Sequence, residues 1–140
     1  MSTAIGPEHP AHFEWAVRVY WEDTDAGGVV YHARYLQFLE RARTEWLRSL
    51  GIDQSRLASE RGILFAVTAM DLRFRSPARL DDELFVGVRL ERRRPASLEF
   101  SQHLVRQRDN SLILTAGVRA ACLDAATFRP RAIPDDLISE

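Results

Sequence analysis

The sequence predicts an α+β fold in which a curled antiparallel sheet of five strands wraps around one long central helix. Three observations predict it. One run, about residues 34–50, carries apolar residues three and four apart. Five other runs alternate apolar and polar residues with period two. The runs after the helix are joined mainly by short turns, which suit antiparallel neighbours. At 140 residues the chain reads as a single domain, long enough to bury roughly two-thirds of its unfolded surface. Residues 1–12, with Gly6, Pro7 and Pro10, read as a loosely held arm, and residues 124–140 as a C-terminal tail.

The first strand starts at Glu14. Trp15, Val17, Val19 and Trp21 share the face expected in the core, and Glu14, Arg18, Tyr20 and Glu22 share the other. The segment Asp23-Thr24-Asp25-Ala26-Gly27-Gly28 breaks it, since Asp favours turns and Gly admits positive φ. In the helix Tyr35, Phe38, Leu39, Ala42, Trp46 and Leu50 form the apolar stripe. Leu36 and Leu47 widen it, as a surrounding sheet requires. Arg41 and Glu45 are spaced to pair, and Gly51 stops the helix after about 18 residues. The second strand, Ile63 to Arg75, places Leu64, Ala66, Thr68, Met70, Leu72 and Phe74 on one side and ends at Ser76-Pro77. The third aligns Leu84, Val86, Val88 and Leu90; the fourth, Leu98, Phe100 and Leu104. Asp109-Asn110-Ser111 suits a hairpin turn. The last strand turns Leu112, Leu114, Ala116, Val118, Ala120 and Cys122 inward.

Composition removes several function classes. The formal net charge is −1, which gives no general attraction to nucleic acid. All 19 basic residues are Arg, so lysine Schiff-base and P-loop lysine chemistry are unavailable. One cysteine, Cys122, excludes an internal disulfide and a multi-cysteine zinc site; on an apolar alternation it reads as an inert core residue. No stretch approaches the roughly 18 apolar residues of a membrane span, and Met1–Pro10 lacks the apolar centre of a signal peptide. The expected setting is the cytoplasm, without membrane insertion, metal or cofactor.

The segment from Tyr20 to His32 carries the chemistry. It sets acids on a glycine loop beside a helix N-terminus, where free N–H groups and the helix dipole favour an oxyanion. An acid next to an oxyanion site is what hydrolysis of an activated acyl group needs. A calcium loop fails, because Gly27 and Arg34 stand at its fifth and twelfth positions. A phosphate loop fails for want of its glycine spacing and lysine. On spacing alone, Asp23 and Asp25 also suit a second role, shaping the turn and capping the helix.

The run Tyr20-Trp21-Glu22-Asp23-Thr24-Asp25-Ala26-Gly27-Gly28-Val29-Val30-Tyr31-His32 is followed by Tyr35, Glu40-Arg41-Ala42-Arg43-Thr44-Glu45 and Leu47-Arg48. Together they resemble the hot-dog-fold acyl-CoA thioesterases of the 4-hydroxybenzoyl-CoA thioesterase family, closest to the Tol–Pal-associated group. Weaker similarity runs through Phe74–Ala78 and Ser97–Phe100 to Arg129–Pro134, covering about residues 14–134. The resemblance implies a hot-dog fold assembled as a homodimer or a dimer-of-dimers homotetramer. It implies an acyl-CoA substrate, with coenzyme A as part of that substrate, and an acyl carrier protein as a further partner. Asp25 matches the catalytic acid, as general base or nucleophile. His32 matches the position whose backbone N–H polarises the carbonyl, and in the Tol–Pal-associated group its side chain is also implicated. Tyr20 matches a tyrosine near the site, and Trp21 stands where the group often has a second one. Gly28, Val29, Val30 and Tyr31 fall in the substrate-binding loop. Arg92-Arg93-Arg94 reads either as a clamp for the coenzyme A phosphates or as a solvated turn. Glu40 reads as a solvated or paired acid, and His103 as an exposed residue. The alternative function is a non-catalytic acyl-CoA or acyl-carrier-protein binding module on the same fold. A hot-dog dehydratase lacks the Asp-x-Asp-to-His signature.

Overall fold

A computed structural model describes residues 12–138. Strands β1 (Phe13–Arg18), β2 (Ile63–Phe74), β3 (Glu83–Arg93), β4 (Ser97–Arg106) and β5 (Leu112–Asp124) form one antiparallel sheet in the order β1-β3-β4-β5-β2. Helix α1 (Arg34–Ser49) lies against its inner face. A short helical turn, Gln54–Arg56, continues as a π-helical turn, Leu57–Arg61, and leads into β2. The expected arm lies outside the described residues except for His12, whose N–H donates to Val88 O at 3.0 Å.

Residues directly opposite in antiparallel strands share a face, so the register reads off the core. One inner row runs Phe74, Leu114, Leu104, Val86 and Trp15; another runs Met70, Val118, Phe100 and Leu90. Tyr35, Phe38, Leu39, Ala42, Trp46 and Leu47 of α1 are buried against them. Trp46 meets Phe100 edge-on, with ring centroids 5.3 Å apart. Gln102 interrupts the apolar inner face of β4 and is fully buried. Its amide is satisfied by donating to Leu39 O at 3.0 Å and accepting from Arg43 at 2.9 Å. That places a polar seam between helix and sheet.

The helix is 16 residues long rather than about 18. Leu50 and Leu36 are exposed. Gly51, at φ +83°, donates to Arg48 O, and Ile52 donates to Leu47 O. This double bond pattern closes the helix in a Schellman motif, which needs a left-handed residue at the glycine. Glu45 pairs with Arg48 at 2.9 Å, not with Arg41.

Three further expectations are corrected. In β2 the register slips between Val67 and Ala69. A bulge puts an extra residue in one strand and reverses the alternation. Ile63, Phe65 and Val67 therefore face inward before it and Met70, Leu72 and Phe74 after it, in place of a single even-numbered face. Trp21, expected in the core, is 80% exposed, because β1 ends at Arg18 and residues Trp21–Asp23 form a 3₁₀ turn. Trp15 does lie on the inner side, opposite Val86, but on an edge strand, and stays 37% exposed. His103, expected on the surface, is only 4% exposed. It sits in the central strand between Gly87 and Thr115, where neighbouring strands shield it on both sides.

The segment expected as a tail is packed. Arg131 donates to Cys122 O, Ile133 donates to Pro95 O, and Ile133 and Ile138 are buried in the core. Arg61 and Asp136 add a two-point ion pair. Among the described residues no helix is long and apolar enough to cross a membrane.

Two outcomes follow from this packing. Ile133→Ala should lower the unfolding free energy by about 2–5 kcal/mol in urea titration, as for other buried aliphatic truncations; a dispensable tail would leave the midpoint unchanged. The second concerns acid. Asp109 is held down to about 2 by the Ser111 hydroxyl and N–H and by Arg106. Asp124 is lowered by the Thr127 and Ala126 N–H groups, Asp136 by Arg61, and Glu99 by Arg94. A carboxyl depressed by folding stabilises above its unfolded pKa, about 4, and loses that contribution as pH falls through its folded value. The denaturation midpoint should hold from pH 7 to about 5 and decline between about 4 and 2; a flat profile down to pH 2 would contradict these bonds.

Candidate active site

The loop from Val19 to Ala33 joins the sheet edge to α1, and two aspartates divide its work. Asp23 is buried, at 5% exposure. Its carboxylate accepts the Tyr20 N–H at 2.8 Å and lies 3.3 Å from Arg34 Nε. Its carbonyl accepts the Tyr31 N–H at 2.9 Å. Arg34 also donates to Glu22 O and to the Gln37 side chain, both at 2.8 Å. Asp23 therefore shapes the turn, as one of the two sequence readings has it. Neither aspartate caps α1, whose N-cap, Ala33, has no side-chain bond.

Asp25 stands on the tip of the loop and is exposed. One carboxylate oxygen accepts the Gly27 N–H at 2.8 Å, an Asx turn. Asp25 N–H donates to Val29 O at 2.9 Å, and Gly28 N–H to Asp25 O at 3.0 Å. Gly28 has φ +80° with open space where a Cβ would stand, so backbone conformation and not crowding demands glycine there. The loop closes through bridges between Thr24 and Val30 and between Val29 and Arg79. Val30 N–H donates to Ala78 O at 2.9 Å. The second carboxylate oxygen of Asp25 has no partner among the described residues.

His32 lies one residue before the helix N-cap and is exposed, its ring 4.5 Å from that of Tyr31. Among the described residues neither His32 nor Ala33 donates its backbone N–H to a protein acceptor. The first turn of α1 holds no acidic residue, so its positive dipole end is not offset. Val30 is buried and Val29 half-buried; Tyr31 is exposed, and Tyr20 is 63% exposed. The structure thus brings Tyr20, Asp25, Gly28, Val29, Val30, Tyr31 and His32 into one loop system.

It does not bring Arg92, Arg93 and Arg94 there. The Asp25 loop is tied to the start of β3 by the bonds of Val19 with Asp81 and Asp82. The arginines lie at the other end of that strand, about 30 Å away at 3.3 Å per residue. Arg93 donates to Ile138 O at 2.7 Å, Ile133 O at 3.1 Å and Pro134 O at 3.2 Å, and so anchors the C-terminal segment. Arg94 pairs with Glu99 at 2.8 Å. Arg92 and Arg94 line a groove of about 510 Å³ on the outer sheet face with Asp71, Glu91, Glu99 and Arg119.

Glu40 is exposed and among the described residues accepts only a long 3.5 Å bond from Thr44. Cys122 is fully buried and burial pushes its thiol up, away from reactivity. No group of three or more His, Cys, Asp or Glu residues that could hold a metal occurs among the described residues. Sequence reasoning passed over Arg34, and over the pairing of the Tyr35 hydroxyl with the Ala78 N–H at 3.1 Å. The signal for the latter was a tyrosine in an apolar helical stripe, since a buried phenol needs a partner.

Residues 19–140 match the model of the thioesterase-like superfamily. The chain is 46% identical over 128 residues to the acyl-CoA thioester hydrolase YbgC of Escherichia coli, covering 91% of this chain and 94% of that one. It is 45% identical to the acyl-CoA thioesterase YbgC of Haemophilus influenzae, covering 89% and 90%. Among solved structures it resembles a probable thioesterase from Bartonella henselae, with TM-score 0.81 at 38% identity, over 86% of this chain and 98% of that one. A 4-hydroxybenzoyl-CoA thioesterase variant in complex with 4-hydroxybenzoyl-CoA shares the fold, with TM-score 0.81 at 21% identity over 89% and 94% of the two chains. A five-stranded antiparallel sheet closed on a central helix, with these relatives across nearly its whole length, means that the chain belongs to the thioesterase-like superfamily and has its hot-dog fold.

Proposed function

We propose that the protein hydrolyses the thioester of an acyl-CoA to a free acid and coenzyme A, with Asp25 as the catalytic acid. One observation carries the assignment of Asp25. It is the exposed carboxylate of a rigidly bonded loop, with one oxygen tied to Gly27 and the other free of protein partners among the described residues, beside unoccupied N–H groups at a helix start. In the general-base route Asp25 takes a proton from water as the oxygen attacks the thioester carbon. In the nucleophilic route its carboxylate attacks, the thiolate of coenzyme A leaves, and water hydrolyses the mixed anhydride. In both, the N–H of His32 stabilises the oxyanion, a donor of a kind whose removal typically costs about 2.7–4 kcal/mol of barrier. Water is the only other reactant, so no cofactor is needed.

Substrate is held by Gly28, Val29, Val30 and Tyr31, with Tyr20 and Trp21 as exposed aromatic walls. Arg93 is committed to three carbonyls; Arg92 and Arg94, at the far end of β3 from the Asp25 loop, are candidates for coenzyme A phosphates only where the substrate is held by the loop of a second copy. Edge strand β2 leaves Val67 and Phe74 exposed, which supports pairing with a second copy, as a homodimer or a dimer of dimers. An acyl carrier protein as alternative acyl donor and a cytoplasmic, Tol–Pal-associated setting rest on the family resemblance. The reading as a pure binding module gains nothing from a free carboxylate at the loop tip.

Coenzyme A release from a panel of short aliphatic, long aliphatic and aromatic acyl-CoAs tests the proposal. Asp25→Asn should keep the wild-type denaturation midpoint and lose roughly 100- to 10,000-fold in kcat; turnover near that of wild type would reject Asp25. Asp23→Ala should behave oppositely in stability, losing about 1–3 kcal/mol because the Tyr20 N–H and Arg34 lose their acceptor. An unchanged midpoint would show that Asp23 does not hold the turn.

A further inference from the structure

Tyr35 is buried on the first turn of α1, yet its polar end is not idle. Its phenol oxygen accepts the Ala78 N–H at 3.1 Å. The carbonyl of the same residue, Ala78, accepts the Val30 N–H at 2.9 Å. The neighbouring residue Val29 accepts the Asp25 N–H through its carbonyl, also at 2.9 Å. A continuous run of short bonds therefore leads from the helix, through residue 78, to the loop that carries Asp25 and ends at His32.

The far side of residue 78 is braced. Arg106 on β4 donates to Pro77 O at 3.2 Å and to Asp82 at 3.1 Å, and Asp82 accepts the Arg79 N–H at 2.9 Å. Arg106 and Asp82 are both largely buried. Segment 77–82 is thus pinned to the sheet by an ion pair and to the helix by one hydroxyl. Phe74, at the end of β2, lies 5.8 Å from the Tyr35 ring and covers it. The groups facing the phenol are Asp25 on the loop, Asp82 on the segment before β3, and Arg106 on β4. Burial raises the phenol's pKa, outweighing the Ala78 N–H and Arg106, while the two aspartates push the same way. With its pKa raised above the ordinary phenol value, it stays protonated near neutral pH and serves as a fixed hydrogen-bonding group.

We infer that Tyr35 is a positioning residue for the hydrolysis: its hydroxyl, through Ala78, holds the Asp25 loop and the His32 N–H in register with the start of α1. This rests on the thioesterase reading above. Misplacement of a reacting group by about 1 Å can reduce rate by roughly 100-fold without weakening substrate binding. Among the described residues the hydroxyl supplies the hydrogen bond that links the helix to residue 78, so deleting it loosens the register between loop and helix at that point, while Phe preserves the packed ring.

The test compares Tyr35→Phe with wild type and Asp25→Asn on the best acyl-CoA of the panel, at 25 °C, with folding checked by circular dichroism. Tyr35→Phe is expected to lower kcat at least tenfold, to leave KM within twofold, and to keep the shape of the pH–rate profile. A kcat within twofold of wild type overturns the inference, as does a raised KM with unchanged kcat. An altered profile shape would make Tyr35 a proton carrier and overturn the positioning role as well. Should Tyr35→Phe not fold, Asp82→Asn loosens the same segment from its other side, and the same split between kcat and KM is expected; wild-type kcat there overturns the inference. An inactive wild type would instead defeat the thioesterase reading. With an active wild type and an inactive Asp25→Asn, the Tyr35→Phe rate bears on Tyr35 alone.

Discussion

Between Arg18 and Arg34 the chain must leave an edge strand, reverse, and enter a helix that crosses the sheet. Each change of direction exposes backbone groups that the sheet or helix would have satisfied. The Asp23 carboxylate meets this demand at both ends at once, taking the Tyr20 N–H where the strand stops and facing Arg34 where the helix begins. Its carbonyl takes a third group, the Tyr31 N–H. The exposed loop from Thr24 to Gly28 hangs from this point, which is why a carboxylate two residues further on can be both rigid and open to solvent.

The ion pairs differ in what they can hold. Arg56 with Glu60, and Arg18 with Glu83, are solvent-exposed pairs, and such pairs contribute little to stability. Asp23 with Arg34, and Asp82 with Arg106, are much less exposed. Removing one partner of a buried pair leaves an uncompensated charge, which costs more than the pair itself contributes. One pair holds the base of the Asp25 loop and the other braces the segment around residue 78. Their placement sets geometry near Asp25 more than it adds to overall stability. The polar seam of Gln102, Arg43 and Leu39 O has the same character, because it admits one seating of the helix on the sheet.

What could be read from the sequence was what repeats. Five alternating runs and one helical stripe yield the sheet and helix, since core-facing residues recur at fixed intervals. The Asp-x-Asp loop and its neighbour His32 were legible because they are contiguous. What could not be read depends on contacts between distant residues. Nothing in Ile63–Phe74 announces that Thr68 interrupts the alternation, because a bulge is decided by the partner strand. Trp21 continues a period-two pattern, but the chain has already turned into a 3₁₀ turn under the pull of Asp23 on the Tyr20 N–H. His103 looks like a surface residue beside Ser101, and only the strand order makes β4 central. The hydroxyl of Tyr35 finds its partner 43 residues away.

The arginine triplet shows why adjacency misleads on a strand. Successive side chains point to opposite faces, so three neighbouring guanidinium groups cannot close on one phosphate while the strand stays regular. Arg93 reaches the carbonyls of the C-terminal segment, and Arg92 and Arg94 go to the outer groove. A guanidinium has five donors, and three bonds to carbonyls occupy most of Arg93's capacity. It neutralises backbone acceptors that would otherwise be stranded where the segment crosses the end of the core. The same side chain that composition marks as a phosphate ligand is thereby structural. Within the triplet, whatever anion-binding capacity remains lies with Arg92 and Arg94, the second already drawn toward Glu99.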